Sequence, residues 1–298
     1  MEAPSRTGGS APEVRGRRRS WRFAQEKGSL MQRITAQTAD GFILCGRADA
    51  PEDPKAAVVI VHGLCEHYGR YEYVVEKLNT AGYATVRFDH RGHGRSMGKK
   101  TWYDDRTQIV SDTDLLVERA RQMFPGLPLF MIGHSMGGFG AASYGTTYPG
   151  KLAGYVLSGA WTRDHKGLAK VDDALAADTY IPNELGDGVC SDPAVGAAYE
   201  ADTLVAKEFS VALLRAVHEG HLWLHENAAT FADPVILLHG GGDGLVSPQD
   251  SIDMFQEISS TDKSLRIYAG LYHEIFNEFK RDQVIRDAIE WLDGELEK

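Results

Sequence analysis

The chain has 298 residues and a formal net charge of −10 at pH 7, and 43% of its residues are hydrophobic and 25% charged. This composition is typical of a globular protein that can bury a large core. The excess of acidic residues argues against a nucleic-acid-binding protein. The longest apolar run, 56–61, is far shorter than the roughly 18 residues that a membrane-spanning helix needs, so the sequence predicts no such helix.

Residues 1–28 differ in composition from the rest of the chain. They are rich in glycine, proline, serine and arginine, with five arginines between positions 15 and 22, and they have no hydrophobic periodicity. We therefore predict a disordered basic tail. The tail has no apolar h-region, so it does not resemble a secretory signal, whereas an organellar transit peptide remains an alternative.

From residue 30 onward, β-type and helical segments alternate. Two β-type runs flank Asp40-Gly41, a pair of residues typical of a tight hairpin turn. The predicted strands are 31–38, 42–48, 56–62, 84–89, 128–134, 152–158, 234–239 and 264–268. The predicted helices are 71–81, 105–124, 136–148, 248–258 and 281–296. This order predicts an α/β fold with a mostly parallel sheet flanked by helices, which binds its ligands at the carboxyl ends of the strands.

The alternation stops between residues 160 and 231, where the apolar pattern is helical. The apolar residues of this segment include Leu175, Leu204, Leu213, Leu214, Leu222, Trp223 and Leu224. We predict a helical cap inserted after the sixth strand, with residues 29–159 and 232–298 forming the core domain. Such a cap could line a pocket for an aliphatic group, or its apolar side chains could serve only to pack it onto the core.

The apolar run 128–134 ends at Ser135, which lies between Gly133 and Gly137 in the pattern G-x-S-x-G. With a strand before it and a helix after it, this pattern predicts a nucleophile elbow, a sharp turn that holds a serine in a strained backbone conformation. The two glycines are expected because a Cβ at either position would collide with the neighbouring strand or helix. Ser135 is therefore a candidate nucleophile.

A serine nucleophile needs a histidine base and an acid that orients the histidine, and after such an elbow they follow in the order Asp, His. Asp243 follows strand 234–239 and His273 follows strand 264–268, so both are expected at the same sheet edge as Ser135. Asp89 and Asp233 are the alternative acids. They fit less well because Asp89 precedes the elbow and Asp233 precedes its strand.

The oxyanion formed during attack on an ester needs N–H donors that are in place beforehand. The expected donors are the backbone N–H groups of Met136, directly after the nucleophile, and of Leu64, in the loop after strand 56–62. This chemistry requires no metal and no other cofactor. Three histidines share one helical face and leave a metal site as a minor alternative: His218, His221 and His225.

The three cysteines of the chain, Cys45, Cys65 and Cys190, are too few and too scattered for a disulfide framework. A reducing compartment fits them best, so we expect a cytoplasmic location with peripheral contact to membranes as an alternative. Cys65 directly follows a candidate oxyanion donor. It is either a thiol open to alkylation at the site or a small buried side chain.

Five segments together resemble the monoacylglycerol lipase and lysophospholipase branch of the α/β-hydrolases. They are HGLCEHYGRY at 62–71, FDHRGHGRS at 88–96, GHSMGG at 133–138, the glycine-rich turn around Asp243, and LYHEIFNE at 271–278. The resemblance covers residues 30–298 and implies the α/β-hydrolase fold. It also implies that Ser135, Asp243 and His273 form the catalytic triad, with Leu64 and Met136 as oxyanion donors.

The same resemblance implies a serine hydrolase that cleaves monoacylglycerols to fatty acid and glycerol through an acyl-enzyme. Glu66 and Arg70 would contact the glycerol-like head group, and a local ion pair that shapes their loop is an equal alternative. Lysophospholipids, short-chain esters and aromatic esters remain competing substrates, and a peptidase or a non-catalytic binding protein remains an alternative function. As partners we expect a small lipid or ester substrate, no nucleic acid, and transient contact with lipid aggregates through exposed cap residues such as Leu222 and Trp223.

Overall fold

The computed structural model describes residues 30–184 and 188–298, so the predicted basic tail lies outside the described residues. The strands of the described ranges are β1 (Leu30–Gln37), β2 (Ile43–Ala50), β3 (Ala56–Val61), β4 (Tyr83–Phe88), β5 (Leu129–His134), β6 (Gly154–Ser158), β7 (Tyr180–Pro182), β8 (Glu208–Ser210), β9 (Val235–Gly240) and β10 (Lys263–Tyr268). The α-helices are α1 (Glu72–Thr80), α2 (Thr107–Met123), α3 (Met136–Thr147), α4 (Pro193–Ala201), α5 (Val211–Asn227), α6 (Pro248–Glu257) and α7 (Arg281–Leu296). Short 3₁₀ helices cover Tyr68–Tyr71 and Ala228–Thr230.

The main sheet has eight strands in the order β1-β2-β4-β3-β5-β6-β9-β10. β1 pairs with β2, and β2 with β4, in antiparallel fashion, whereas all the other neighbours are parallel. Every residue of β3, β4 and β5 is buried. Their continuous apolar runs fit this position because a central parallel strand is covered on both of its faces.

Two apolar clusters lie on opposite faces of the sheet. One contains the buried side chains of α1 and α7. The other contains those of α2, α3, α5 and α6. Because helices cover both faces, the carboxyl ends of the parallel strands form the open edge at which loops can build a site. The prediction of an α/β-hydrolase fold with a mostly parallel sheet is confirmed, and the observed strand and helix ends lie within about two residues of the predicted ones.

The segment between β6 and β9 contains the helices α4 and α5, as its apolar pattern predicts. It also contains a two-stranded antiparallel sheet, β7 with β8, that the pattern does not predict. Each of these strands has only three residues, too few for an alternation of apolar and polar side chains to be recognised. Within the described ranges, none of the helices has the length and apolar character needed to cross a membrane.

Candidate active site

Ser135 occupies a sharp turn between β5 and α3. Its backbone has φ 53° and ψ −120°, a conformation that side-chain-bearing residues rarely adopt. The turn needs glycine on both sides, since a Cβ on Gly133 would lie 2.5 Å from the carbonyl oxygen of Gly137 and one on Gly137 would lie 2.2 Å from that of Val61. The N–H of Ser135 donates to the carbonyl of Ser158 in β6 over 3.0 Å, which anchors the turn to the sheet. The sequence-predicted elbow geometry is therefore present.

Asp243 and His273 meet at the carboxyl edge of β9 and β10. The Oδ2 of Asp243 lies 2.7 Å from the Nδ1 of His273, and both side chains are buried. An ionised carboxylate can only accept hydrogen bonds, so the Nδ1 carries the proton and the Nε2 is left with a free lone pair. This is the tautomer that a general base needs, because the Nε2 can then take a proton from a hydroxyl group.

Ser135 and His273 line the same cavity. Among the residues that the structure describes, neither the hydroxyl of Ser135 nor the Nε2 of His273 has a hydrogen-bond partner. The ring of His134 packs against that of His273 with centroids 4.7 Å apart. Catalytic hydrogen bonds are often long before substrate binds and shorten when it does, so Ser135 and His273 remain the candidate nucleophile and base.

Burial and the neighbouring charges act in opposite directions on the pKa values of His273 and Asp243. Burial lowers the pKa of His273, but the negative charge of Asp243 and its hydrogen bond outweigh burial, so the pKa lies above the ordinary value of 6.5. Burial raises the pKa of Asp243, but the charge of His273 and the hydrogen bonds it receives hold the pKa well below 3.8. Burial also lowers the pKa of His134 to about 4, so this neighbour is neutral at pH 7.

Two backbone N–H groups near Ser135 are available as donors. Leu64 lines the cavity, and Met136 is the first residue of α3. In the described part of the chain, neither of these N–H groups has a hydrogen-bond acceptor. The first N–H groups of a helix carry no intrahelical partner, and the positive end of α3 favours negative charge at this point. Both predicted oxyanion donors therefore remain candidates for that role.

Glu66 and Arg70 form an ion pair, and both also line the cavity. The Nη1 of Arg70 lies 2.8 Å from Glu66, while its Nη1 and Nη2 lie 2.7 and 2.8 Å from the two carboxylate oxygens of Glu274. Glu66 also accepts hydrogen bonds from the N–H of Gly63 and the hydroxyl of Tyr71, each over 2.6 Å. The local ion pair between Glu66 and Arg70, one of the two roles predicted for them, is thus present in the structure. Because both residues line the cavity, this role is compatible with contact to a head group.

The remaining wall of the cavity is largely apolar. Its apolar and aromatic side chains are Leu64, Trp161, Leu168, Val189, Tyr199, Leu245 and Val246. None of the seven apolar residues that the sequence pattern singled out between 160 and 231 is among them. Leu213, Leu214 and Leu224 are buried in the core, whereas Leu175 and Leu222 are exposed. The segment between β6 and β9 does form part of the cavity wall, but it does so through other side chains.

A family model described as serine aminopeptidase, S33, matches residues 52–280. The chain belongs to this family. The predicted resemblance to monoacylglycerol lipases is also confirmed, because similar proteins carry that name.

Three proteins show what this chain is similar to. A monoacylglycerol lipase of Mycolicibacterium smegmatis is 37% identical over 252 residues, which cover 82% of this chain and 90% of that protein. Phospholipase YtpA of Bacillus subtilis is 29% identical over 262 residues, which cover 80% of this chain and 96% of that protein. The crystal structure of Paleococcus ferrophilus monoacylglycerol lipase superimposes with a TM-score of 0.74 at 30% identity, covering 89% of this chain and 99% of that one.

The two alternative acids, Asp89 and Asp233, make hydrogen bonds elsewhere in the structure. Asp89 accepts hydrogen bonds from the N–H groups of Tyr68 and Arg95, each over 2.8 Å. Asp233 precedes β9 and accepts one from the N–H of Gly150 over 2.6 Å. Neither carboxylate lines the cavity that contains Ser135. Asp243 is therefore the acid that fits the geometry.

The histidines considered as metal ligands and the thiol of Cys65 make other contacts. His221 is buried between Trp161 and Phe139, and one of its ring nitrogens lies 2.7 Å from the carbonyl oxygen of Trp161. His225 lies 3.1 Å from Glu257. No group of three metal-ligating side chains is found in the described ranges. The thiol of Cys65 is fully buried and burial raises its pKa, which fits the small buried side chain rather than a reactive thiol.

Two residues that contact the site, Glu274 and His239, were not identified from the sequence. Glu274 pairs with Arg70, and its signal was its place directly after the candidate base. His239 contacts the candidate acid: its Nε2 lies 3.1 Å from the Oδ2 of Asp243. The four-residue spacing between His239 and Asp243 could have suggested this contact, although the chain between them is a turn and not a helix.

Proposed function

We propose that this carboxylic ester hydrolase cleaves monoacylglycerols to a fatty acid and glycerol, with Ser135, His273 and Asp243 as its catalytic triad. The observation that carries the proposal is that one cavity is lined by Ser135, by His273, by apolar side chains and by a cluster of charged side chains. An acyl chain fits the apolar wall and a hydroxylated head group fits the charged cluster. The names of the similar lipases support the same substrate.

In the proposed reaction, the Nε2 of His273 takes the proton of the Ser135 hydroxyl while its oxygen attacks the ester carbonyl. The N–H groups of Leu64 and Met136 bind the oxyanion that forms. As the intermediate collapses, the ester C–O bond breaks and His273 gives its proton to the departing glycerol oxygen. Water then attacks the acyl-enzyme with His273 again as the base, and the fatty acid leaves. Asp243 keeps the tautomer of His273 correct throughout.

The charge of the polar cluster favours a neutral head group over a phosphate. Glu66, Arg70 and Glu274 together carry one net negative charge, and the guanidinium of Arg70 already binds both carboxylates. A lysophospholipid would place a further negative charge beside them, which is unfavourable in a buried site. Glycerol hydroxyls can both donate to the carboxylates and accept from Arg70. This argument favours a monoacylglycerol over the lysophospholipase alternative.

We propose further that residues 160–231 are a cap on a core of residues 29–159 and 232–298. Trp161, Leu168, Val189 and Tyr199 support this division because they contribute to the cavity wall from outside the main sheet. Leu222 is 56% exposed on α5 and could contact lipid aggregates transiently. The free state of Cys45, Cys65 and Cys190 supports a cytoplasmic location.

The test uses a fluorophosphonate probe and a panel of esters. Wild-type protein should be labelled and should hydrolyse 1-monoacylglycerols faster than lysophospholipids with the same acyl chain. Ser135→Ala should abolish labelling and lower kcat by about a million-fold. Ser143→Ala is the matched control, since Ser143 is buried in α3, the helix that follows Ser135, and does not line the cavity, and it should keep both properties.

Two results would overturn the proposal. Failure of the folded wild-type protein to react with the probe would favour a non-catalytic binding protein. Faster cleavage of lysophospholipids, of aromatic esters or of peptide p-nitroanilides than of any monoacylglycerol would assign the same triad to another substrate class.

A further inference from the structure

A second histidine contacts the acid of the proposed triad. His239 is the fifth residue of β9 and its side chain is completely buried. Its Nε2 lies 3.1 Å from the Oδ2 of Asp243, the same oxygen that lies 2.7 Å from the Nδ1 of His273. Two imidazoles therefore share one carboxylate oxygen.

The contacts of His239 define its tautomer. An ionised carboxylate cannot donate a hydrogen bond, so the proton between His239 and Asp243 belongs to the Nε2 of the histidine. The same Nε2 lies 3.3 Å from the carbonyl oxygen of Val246, which is also only an acceptor. The Nδ1 lies 2.7 Å from the hydroxyl oxygen of Ser251 in α6, and a hydroxyl can donate to it. His239 is thus a donor to Asp243 that is held in place by its contact with α6.

The hydrogen bonds of Asp243 are complete in this arrangement. Its Oδ1 accepts from the N–H groups of Leu245 and Val246, each over 2.8 Å. Its Oδ2 accepts from His239 and His273. A carboxylate with two donors on each oxygen cannot rotate without losing one of them, and each donor draws negative charge away from the oxygen that it contacts.

We propose that His239 is a positioning residue: its Nε2–H fixes the rotation of the Asp243 carboxylate and weakens the pull of Asp243 on the proton of His273. This inference rests on the proposed function, because it concerns the acid and base of that triad. Without the donor from His239, Asp243 would face His273 with more negative charge. His273 would then keep its extra proton to higher pH, and the fraction of active base near neutral pH would fall.

Other charged and titratable groups also face His273 or Asp243. From the neighbouring elements these are His134 in β5, Glu66 and Arg70 after β3, Glu274 after β10, and Lys166 between β6 and β7. The amine of Lys166 donates to the backbone carbonyl of Asp243 over 2.7 Å. None of them is substituted when only His239 is changed. A shift in the titration of His273 can therefore be assigned to the lost donor.

The experiment is the pH profile of kcat/KM with a soluble ester, measured for the wild type and three variants. His239→Leu removes the donor, and we expect the acid limb to move to higher pH by about half to one unit. His239→Gln keeps an N–H that can reach Asp243, and its acid limb should stay at the wild-type position. His93→Leu is the matched control, because it removes another buried imidazole that does not contact Asp243, and its acid limb should not move.

An acid limb of His239→Leu that stays in place or moves to lower pH would overturn the inference, even if kcat falls. The tautomer gives a second measurement that needs no variant. In ¹⁵N NMR spectra of the wild-type protein, the Nε2 of His239 should show the shift of a protonated ring nitrogen and the Nδ1 that of an unprotonated one, and the reverse pattern would overturn the inference. In the same assay, the rates of the wild type and of Ser135→Ala test the proposed function independently of the His239 variants.

Discussion

The two carboxylate oxygens of Glu274 bind the guanidinium of Arg70 over 2.7 and 2.8 Å. Glu274 follows His273 directly, and Arg70 lies in the segment after β3 that also carries Leu64. The ion pair therefore joins the loop of the proposed base to the loop of a proposed oxyanion donor. Glu66 also pairs with Arg70. The side chains of Arg70, Glu66 and Glu274 are largely buried, with 11%, 5% and 7% of their respective surfaces exposed. The pair is a structural link across the site as well as part of the cavity wall.

We expect Arg70→Met to lower the free energy of unfolding by about 3–5 kcal/mol, because it leaves Glu66 and Glu274 buried without their counter-charge. Denaturant unfolding followed by circular dichroism measures this loss. Lys100→Met is the matched control. It breaks an ion pair with Glu208 in which both side chains are 46% exposed, and such pairs contribute about 1 kcal/mol or less. Equal losses of unfolding free energy in the two variants would show that the buried ion pair stabilises the protein no more than the exposed one.

The pH dependence of the reaction should report on Asp243. The pKa of His273 lies above 6.5 in the wild type, so kcat/KM should fall as the pH drops through that raised value and the base becomes protonated. Asp243→Asn removes the charge that raises the pKa while burial still lowers it, so the acid limb should move to lower pH. The rate on the plateau should fall by about ten-thousand-fold, because Asn no longer selects the correct tautomer.

Asp233→Asn is the control for this change, since Asp233 was an alternative acid and its contact with Gly150 can be kept by an amide oxygen. Its acid limb and plateau should match the wild type. If Asp233→Asn and Asp243→Asn shift the profile alike, the assignment of the acid is wrong.

The sequence predicted the parts of this protein that follow from short-range rules. Ser135, Asp243 and His273 each lie within five residues of the end of a strand, and parallel strands place their carboxyl ends at one edge. It could not predict the partner of Arg70, because Glu274 is 204 residues away and the loops that bring them together have no periodicity. The apolar lining was missed for a related reason. Whether a leucine such as Leu213 faces a core or a cavity depends on packing that the helical pattern does not encode.

Gly137 should not tolerate a side chain. A Cβ there would lie 2.2 and 2.4 Å from the backbone oxygens of Val61 and His62, and backbone atoms cannot turn aside as a flexible side chain can. We expect Gly137→Ala to destabilise the protein by about 1–3 kcal/mol and to lower kcat by about a hundredfold, because α3 must move away from β3 and displace Ser135. Thermal unfolding and ester hydrolysis measure the two effects.

The matched control is Gly196→Ala in α4. Apart from its two chain neighbours and the backbone of its own helix, no atom lies within 4 Å of the added Cβ, and the residue is exposed in the interior of the helix. Alanine should therefore stabilise the protein by about 0.5–1 kcal/mol without changing activity. A Gly137→Ala variant that behaves like Gly196→Ala would refute the close approach between α3 and β3.

Leu168 should influence which acyl chains are accepted, because it lines the cavity that contains Ser135. We expect Leu168→Gln to lower kcat/KM for long-chain 1-monoacylglycerols by about tenfold and to affect an acetate ester much less, since a long chain loses apolar contact and must desolvate an amide. The substrates are compared as monomers in solution, so that contact with lipid aggregates does not contribute. Leu222→Gln serves as the control because Leu222 is exposed on α5 and does not line the cavity, and it should leave both rates unchanged. An equal loss for all chain lengths in Leu168→Gln would mean that Leu168 supports the fold of the site and not the binding of the chain.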